Sequence, residues 1–465
     1  MNLGNRSKIF GLIAAILCIA ISLVYVPAGM EPGLFKTILL ICAFMIVLVS
    51  QALPVMLLSL LSIGIMPLIG VTDSFANSFG GFSNQAVYFV MMSFGLAAIL
   101  METPLCKRIL RWTFQKIGRN VEGLILAIMI CAALTSAFIS DVPTCVLYLA
   151  FGEMLLQVYT EEEARKHSGK AVMLAVSFAS MIGGIATPVG STVNILASSI
   201  LESTTGVTIG FLQWMAICVP VVVIMIPLTW KLLMKLYKPV AISEKDRIAF
   251  IQSFAQEKSF SMKEKKTIVI FLIMLILWFA SSWISGISAM QVMFLGVCVF
   301  VIPGIGVTTI DKVIKSVKFD IILLVATILT LCSALMNQGF GEFMAELVPT
   351  LNMPVIGFFA AIVVGIYILI LIVPIAPSLT TVVTPIVIAL AVRAGINPAA
   401  VVPICSISIG CGYLLPMDSV FLMTYAKKYY TIKDFTKVSA VVMLAALLLA
   451  VTVAYGIMHL SGMIR

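Results

Sequence analysis

The chain has 465 residues, 62% of them hydrophobic and only 11% charged, with a mean hydropathy of +1.17 and a formal net charge of +9. Soluble domains carry about 25% charged residues, so a large water-soluble module is excluded. The basic residues sit in short loops beside apolar runs, not in one patch, so the positive charge points to membrane orientation and no nucleic-acid partner is expected.

Windows of about 20 apolar residues recur along nearly the whole chain. They are too continuous for the alternating pattern of a β-barrel. The expected fold is an all-α polytopic membrane protein. The N-terminus places Arg6 and Lys8 before a long apolar run without a small-x-small cleavage site, which reads as a first span and not a removed leader. Spans are predicted at about 9–27, 36–50, 53–71 and 84–106. The stretch 121–158 is apolar throughout but broken by "ISDVPT", with basic clusters at both ends. An unbroken helix of that length would overshoot a bilayer, so a re-entrant hairpin with its tip at Ser140–Thr144 is expected. An interrupted span follows at 171–200 and a full one at 211–237. Residues 238–266 are polar and charged and read as a linker between two halves. Further spans are expected at 267–285, 287–309 and 319–347. A second hairpin covers 354–394, broken by "PIAPSLTT". An interrupted span at 399–427 contains "CGYLLPMDS", and a last span covers 437–461.

The total is about 11 transmembrane helices plus two re-entrant hairpins. Under this topology all of the 29 Lys and Arg except Lys36, Arg393 and Arg465 fall on one side. The expectation is therefore a multi-pass protein of the cell inner (cytoplasmic) membrane with its N-terminus in the cytoplasm. "FVMMSFGLAAILM" (89–101) parallels "LLVATILTLCSALM", which ends at Met336, and in each half a hairpin and a proline-broken span follow in the same order. The first hairpin starts from the cytoplasm and the second from outside, so the repeat is inverted. The domains follow: N-terminal scaffold helices 1–80, a first repeat 81–237, the linker 238–266 and a second half 267–465.

Four polar breaks lie at membrane depth: Ser140–Thr144, Thr187–Asn194, Pro377–Thr381 and Pro416–Ser419. Non-helical backbone is tolerated there only where protein buries it or where it lines a cavity. Paired broken segments in corresponding halves point to a transporter's binding site. Half-helix N-termini offer N–H groups and partial positive charge to anions, while half-helix C-termini and unwound carbonyls suit cations. A proline kink filled by neighbouring helices is the plain alternative for any single break.

The order hairpin, "GGIATPVGSTVN" (183–194), linker, hairpin and "LP" break resembles the divalent anion:sodium symporters, the dicarboxylate, citrate and sulfate carriers. The resemblance spans essentially the whole chain. Departures mark a divergent member. The family's Ser-Asn-Thr hairpin tips read Ser140-Asp141-Val142 and Ser378-Leu379-Thr380, and its Pro-Pro-Asn endings read Thr192-Val193-Asn194 and Val420-Phe421-Leu422. The resemblance implies substrate contacts at Ser140, Asp141, Thr144, Ser191, Thr192, Asn194, Ser378, Thr380, Thr381, Pro416 and Ser419. It implies a first cation site at Ser136, Ser140, Asp141 and the Gly190 carbonyl. Asp141 replaces a neutral amide; it binds a cation, titrates with protons, or only caps the second hairpin helix ahead of Pro143. In the second half Pro374 and Leu379 stand where the family has oxygen-bearing side chains, so a weak or absent second cation site is expected. Asp418 compensates there or caps a helix.

The resemblance further implies a homodimer and elevator-like alternating access. The expected function is a secondary active transporter moving a small anion, a di- or tricarboxylate, coupled to sodium ion or proton and without a cofactor. A proton-coupled or exchange carrier for another solute, or a non-transporting membrane receptor, stays open. The ten cysteines show no C-x-x-C and read as small apolar residues. Glu102 and Glu153 read as structural pairs, His167 and His459 lack metal-ligand spacing, and Trp278 and Trp283 suit an outer-interface belt. No Walker loop, H-E-x-x-H or Gly-x-Ser-x-Gly is present, so an enzyme is not expected.

Overall fold

The computed structural model describes residues 3–464 except 28–29, 255–258, 285, 341–342, 344–353 and 373–375. The described residues are helical with no strand. The chain opens with α1 (Leu3–Val24), α2 (Pro32–Ser50) and α3 (Val55–Leu68). A 3-10 segment, Asn77–Ser83, is bent by 50° against α4 (Gln85–Met101). Next come α5 (Leu105–Ile117), α6 (Val121–Ile139), α7 (Asp141–Leu156), α8 (Glu162–Gly184), α9 (Thr192–Thr205), α10 (Phe211–Leu236) and α11 (Glu244–Ser253). The second half contains α12 (Met262–Ala280), α13 (Ala289–Val301), α14 (Ile310–Ser316), α15 (Phe319–Asn337), α16 (Val355–Ile372), α17 (Ala376–Arg393), α18 (Pro398–Cys411) and α19 (Ser419–Tyr425). α20 (Ile432–Leu449) continues through a π-turn into α21 (Tyr455–Leu460).

Among the described residues four helices are each long and apolar enough to cross a bilayer: α6, α10, α15 and the α20–α21 rod. A fifth is added when the bent 3-10 segment and α4 are taken together. Seven more apolar helices are shorter, at 10–17 residues. Short apolar helices at membrane depth require partners for their frayed ends, and the polar breaks supply them.

α6 and α7 double back on each other. Thr135 and Tyr148 stand 13 positions apart, yet their hydroxyls are 2.9 Å from each other; in a continuous helix that separation would span about 20 Å. In the second half, Phe358 and Ile366 of α16 line one cavity with Val383 and Leu390 of α17, so these two arms also lie side by side. The turn between them lies outside the described residues, as does Pro374. An aromatic cluster fastens the two halves: Phe421 of α19 packs 5.1 Å from Phe178 of α8 and 4.8 Å from Phe435 of α20, by ring centroids.

Several elements were not foreseen as helices, α5 and α11 among them. The basic stretch read as a loop after the fourth span forms α5, with Cys106, Leu110, Thr113 and Phe114 on its buried face. The linker carries α11, whose Phe250 and Phe254 each sit 5.4 Å from the Phe114 ring. The pairing expected for the acids is present: Glu102 meets Lys263 and Lys312 at 2.9 and 3.0 Å, and Glu153 meets Lys427 at 2.6 Å. One expectation is corrected. Trp283 is 73% exposed, but Trp278 is fully buried, stacked on Phe211 with its indole N–H on the Ala289 carbonyl. Its flanking aromatics make it a core residue.

Arg108 grips Glu264 bidentately, Nε to Oε1 at 2.5 Å and Nη2 to Oε2 at 3.2 Å, and Glu264 closes a capping box with Ser261. The Arg108 guanidinium holds the Glu264 carboxyl below the usual carboxylate range. A carboxyl depressed in the folded state stabilises fully above its unfolded value of about 4.3 and loses that contribution as pH falls through the lower folded value. Glu264→Gln is expected to cost about 2 kcal/mol at neutral pH and to flatten the acid limb of stability below about pH 4.3, read by thermal melts across pH.

Candidate functional site

The site is built where helices stop. α6 ends and α7 starts at Ser140, whose φ of 100° and ψ of 151° lie in a region that favours glycine. Holding a serine there costs about 1–3 kcal/mol, which the surrounding contacts must offset. Asp141 then opens α7. Its Oδ1 accepts from the Val142 N–H at 2.8 Å and the Ser140 hydroxyl at 3.1 Å, and its Oδ2 accepts from Ser191 Oγ at 2.9 Å. Ser191 is the N-cap of α9. One carboxylate therefore ties the first hairpin tip to the far side of the broken span.

The break between α8 and α9 is satisfied by named groups. Asn194 Nδ2 donates to the carbonyls of Gly184 and Thr187, both at 2.8 Å, and the Trp214 indole donates to the Ile185 carbonyl at 3.0 Å. Thr187 Oγ1 bonds the Ala137 carbonyl, and Ser136 Oγ donates to the Ser180 carbonyl at 2.6 Å. Glycines make the close approach possible. A Cβ on Gly190 would collide with the Gly184 carbonyl oxygen and stand 3.0 Å from the carbonyl oxygens of Ser136 and Ala137. A Cβ on Gly184 would stand 2.9 Å from the Gly190 carbonyl, 3.3 Å from Ser136 Oγ and 3.5 Å from the Asp141 Cβ. Carbonyl oxygens of residues 136, 137 and 184 thus crowd Gly190, and the Gly190 carbonyl and the Ser136 hydroxyl crowd Gly184, with Asp141 alongside. Beside them Asn194 Oδ1 and Thr144 Oγ1 are buried without a hydrogen-bond partner. An all-oxygen set of this kind suits a hard cation.

The second half offers a different chemistry. Asp418 is the N-cap of α19, accepting from the Val420 N–H at 3.0 Å and from Ser419 Oγ at 3.4 Å. The start of α17, at Ala376, lies close to the Asp418 carboxylate. Thr380 and Thr381 return their hydroxyls to the carbonyls of Ala376 and Pro377, at 2.8 and 2.7 Å. Leu379 is buried and offers no oxygen. Ser378 lies in the first turn of α17, Pro416 is buried and Ser419 exposed at the second break, and Thr192 is the first residue of α9. The halves meet at Cys145, one turn into α7, whose thiol reaches the Val420 carbonyl at 3.6 Å. Asp418→Ala removes the N-cap of α19, so a loss of about 1 kcal/mol is expected in chemical denaturation, largely recovered by Asp418→Asn.

Among the described residues no Lys or Arg pairs with Asp141 or Asp418. The signal in the sequence that located the site was the Gly-Thr-Pro-Gly break. The signal missed was that Ser140 takes a glycine-like conformation, because serine carries no mark of it.

The family model described as "Sodium:sulfate symporter transmembrane region" matches residues 6–461. The chain belongs to the divalent anion:sodium symporter family. Relatives include the sodium-dependent dicarboxylate transporter SdcS of Staphylococcus saprophyticus, 22% identical over 80% of this chain and 76% of that protein. SdcS of Staphylococcus aureus strain USA300 is 21% identical over 88% of this chain and 83% of that protein. The YdaH transporter of Alcanivorax borkumensis shares the fold, with a TM-score of 0.53 at 15% identity, over 81% of this chain and 87% of that one. This divalent anion:sodium symporter homologue is thus a multi-pass membrane transporter and not an enzyme, in a family whose coupling ion is sodium.

Proposed function

We propose that this symporter-family protein carries a small dicarboxylate across the cytoplasmic membrane, coupled to sodium bound at the first break. The single observation behind this reading is the cluster of backbone carbonyls around Gly184 and Gly190 beside Asp141. Sodium binds first: a buried carboxylate without a cationic side chain repels an anion until a cation neutralises it. The substrate then lies against the hairpin tips, at Ser140, Thr144 and Ser378, and against Ser191, Thr192 and Asn194. Pro416 and Ser419 line the opposing break, and Thr380 and Thr381 shape the wall through their backbone, since their hydroxyls are spent on it. The second cation site is weak, because Leu379 supplies no ligand and the Asp418 carboxylate caps α19.

The domain plan supports an elevator. Helices 1–80 and the linker 238–266 frame two opposed units, 81–237 and 267–465, in a homodimer with the N-terminus on the cytoplasmic side. Alternating access then moves the hairpins and broken spans past that frame. Counterflow in proteoliposomes tests the whole reading, using labelled dicarboxylates, citrate and sulfate with and without sodium at two pH values. Sodium-stimulated dicarboxylate entry is expected. Entry that follows pH and ignores sodium would turn Asp141 into a proton carrier, and ligand that binds without crossing would make the protein a receptor.

A further inference from the structure

α5 presents three different faces. Cys106, Leu110, Thr113 and Phe114 are buried against α6 and α11. Ile109 and Trp112, three residues apart, are 50% and 61% exposed on the side away from that core. Between these two faces run the cations Lys107 and Arg111, with Lys116 and Arg119 at the helix end. Lys107, Lys116 and Arg119 are exposed, and none of the four cations is in an ion pair among the described residues. Arg111 Nε is moreover buried without a hydrogen-bond partner. Of the acids around this corner, Glu264 is paired with Arg108, Glu102 with Lys263 and Lys312, and Glu244 with Arg247, while Glu122 is in no ion pair among the described residues.

We propose that α5 is a strap that binds anionic phospholipid headgroups on the basic side of the membrane, with Ile109 and Trp112 seated among the acyl chains and Lys107, Arg111, Lys116 and Arg119 on the phosphates. A helix with one apolar and one cationic face lies in the interfacial plane, and tryptophan prefers that depth. A free phosphate would need only the cations; the exposed Trp112 and Ile109 beside them select a ligand with an attached hydrocarbon. Arg111 is partly exposed, and its guanidinium offers a fork of donors suited to a phosphate. α5 connects α4 to the root of the α6–α7 hairpin, so the lipid is held at the hinge of the hairpin that bears Asp141.

Brominated lipids test this with the purified full-length chain in mixed micelles. Quenching by brominated phosphatidylglycerol and by brominated phosphatidylcholine is titrated, and the difference between the wild type and Trp112→Phe isolates the Trp112 signal. Each cation near an anionic surface is worth about five-fold in association. The wild type should therefore favour phosphatidylglycerol by at least about ten-fold. The variant Lys107→Gln/Arg111→Gln/Lys116→Gln should lose that preference, the charge-keeping swap Lys107→Arg/Arg111→Lys/Lys116→Arg should retain it, and Lys231→Gln on the same side should change nothing. If the triple variant does not fold, the single changes Lys107→Glu and Lys116→Glu read the same constant, each expected to fall about five-fold or more. Equal quenching by the two lipids, or a preference that survives charge removal, overturns the proposal.

Discussion

Asp141→Asn is expected to raise the sodium concentration for half-maximal uptake about ten-fold, while leaving the fold intact. The amide oxygen keeps the Val142 N–H and the amide NH2 can donate to Ser191 Oγ in place of the second oxygen, so the tip and the α9 cap stay joined. What is lost is the single formal charge in a cluster otherwise made of carbonyl dipoles. A hydrogen bond or contact to a charged group contributes about 1.5–3 kcal/mol, and about 1.4 kcal/mol is ten-fold in affinity. Uptake against sodium in proteoliposomes measures it. An unchanged half-saturation together with a melting point lowered by a few degrees would reduce Asp141 to a helix cap.

Gly190→Ala should abolish sodium stimulation. The added methyl carbon has no open space: the Gly184 carbonyl blocks it, and two more carbonyl oxygens stand at 3.0 Å. Overpacking of this kind costs about 1–3 kcal/mol, and relief requires moving the oxygens that would hold the ion. The expected signature is at least a ten-fold drop in sodium-driven uptake with a modest loss of thermal stability. Gly365→Ala in α16, where a Cβ meets nothing within 4 Å, is the matched control and should transport normally. Sodium stimulation that survives Gly190→Ala would place the ion elsewhere.

The break at Thr187–Asn194 was legible because glycine and proline leave few alternatives to an unwound backbone, and because Asn194 and Thr187 are polar where lipid-facing residues would not be. The first hairpin followed from length alone, since 121–158 is too long for one crossing. α5 was not legible as a span because it is short and basic, with only four residues buried in one stripe. The 3-10 segment 77–83 escaped for a similar reason: "NSFGGFS" has turn composition, and it is ordered by Thr330, whose hydroxyl accepts the Gly81 N–H at 2.9 Å from a helix 249 positions away. The burial of Trp278 is likewise a tertiary fact. Its neighbours Phe211 and Phe138 come from other helices, and interfacial composition does not reveal them. The position of Asp418 depends on two helix starts meeting in space, which neither segment announces.

That position has a mechanical consequence. A carboxylate that caps α19 beside the start of α17 resists their separation: pulling the two apart would strip a buried charge of neighbours that now solvate it. In the elevator movement proposed above, the second hairpin arm and its neighbouring half-helix would then travel as one piece, with the sliding seam running around it.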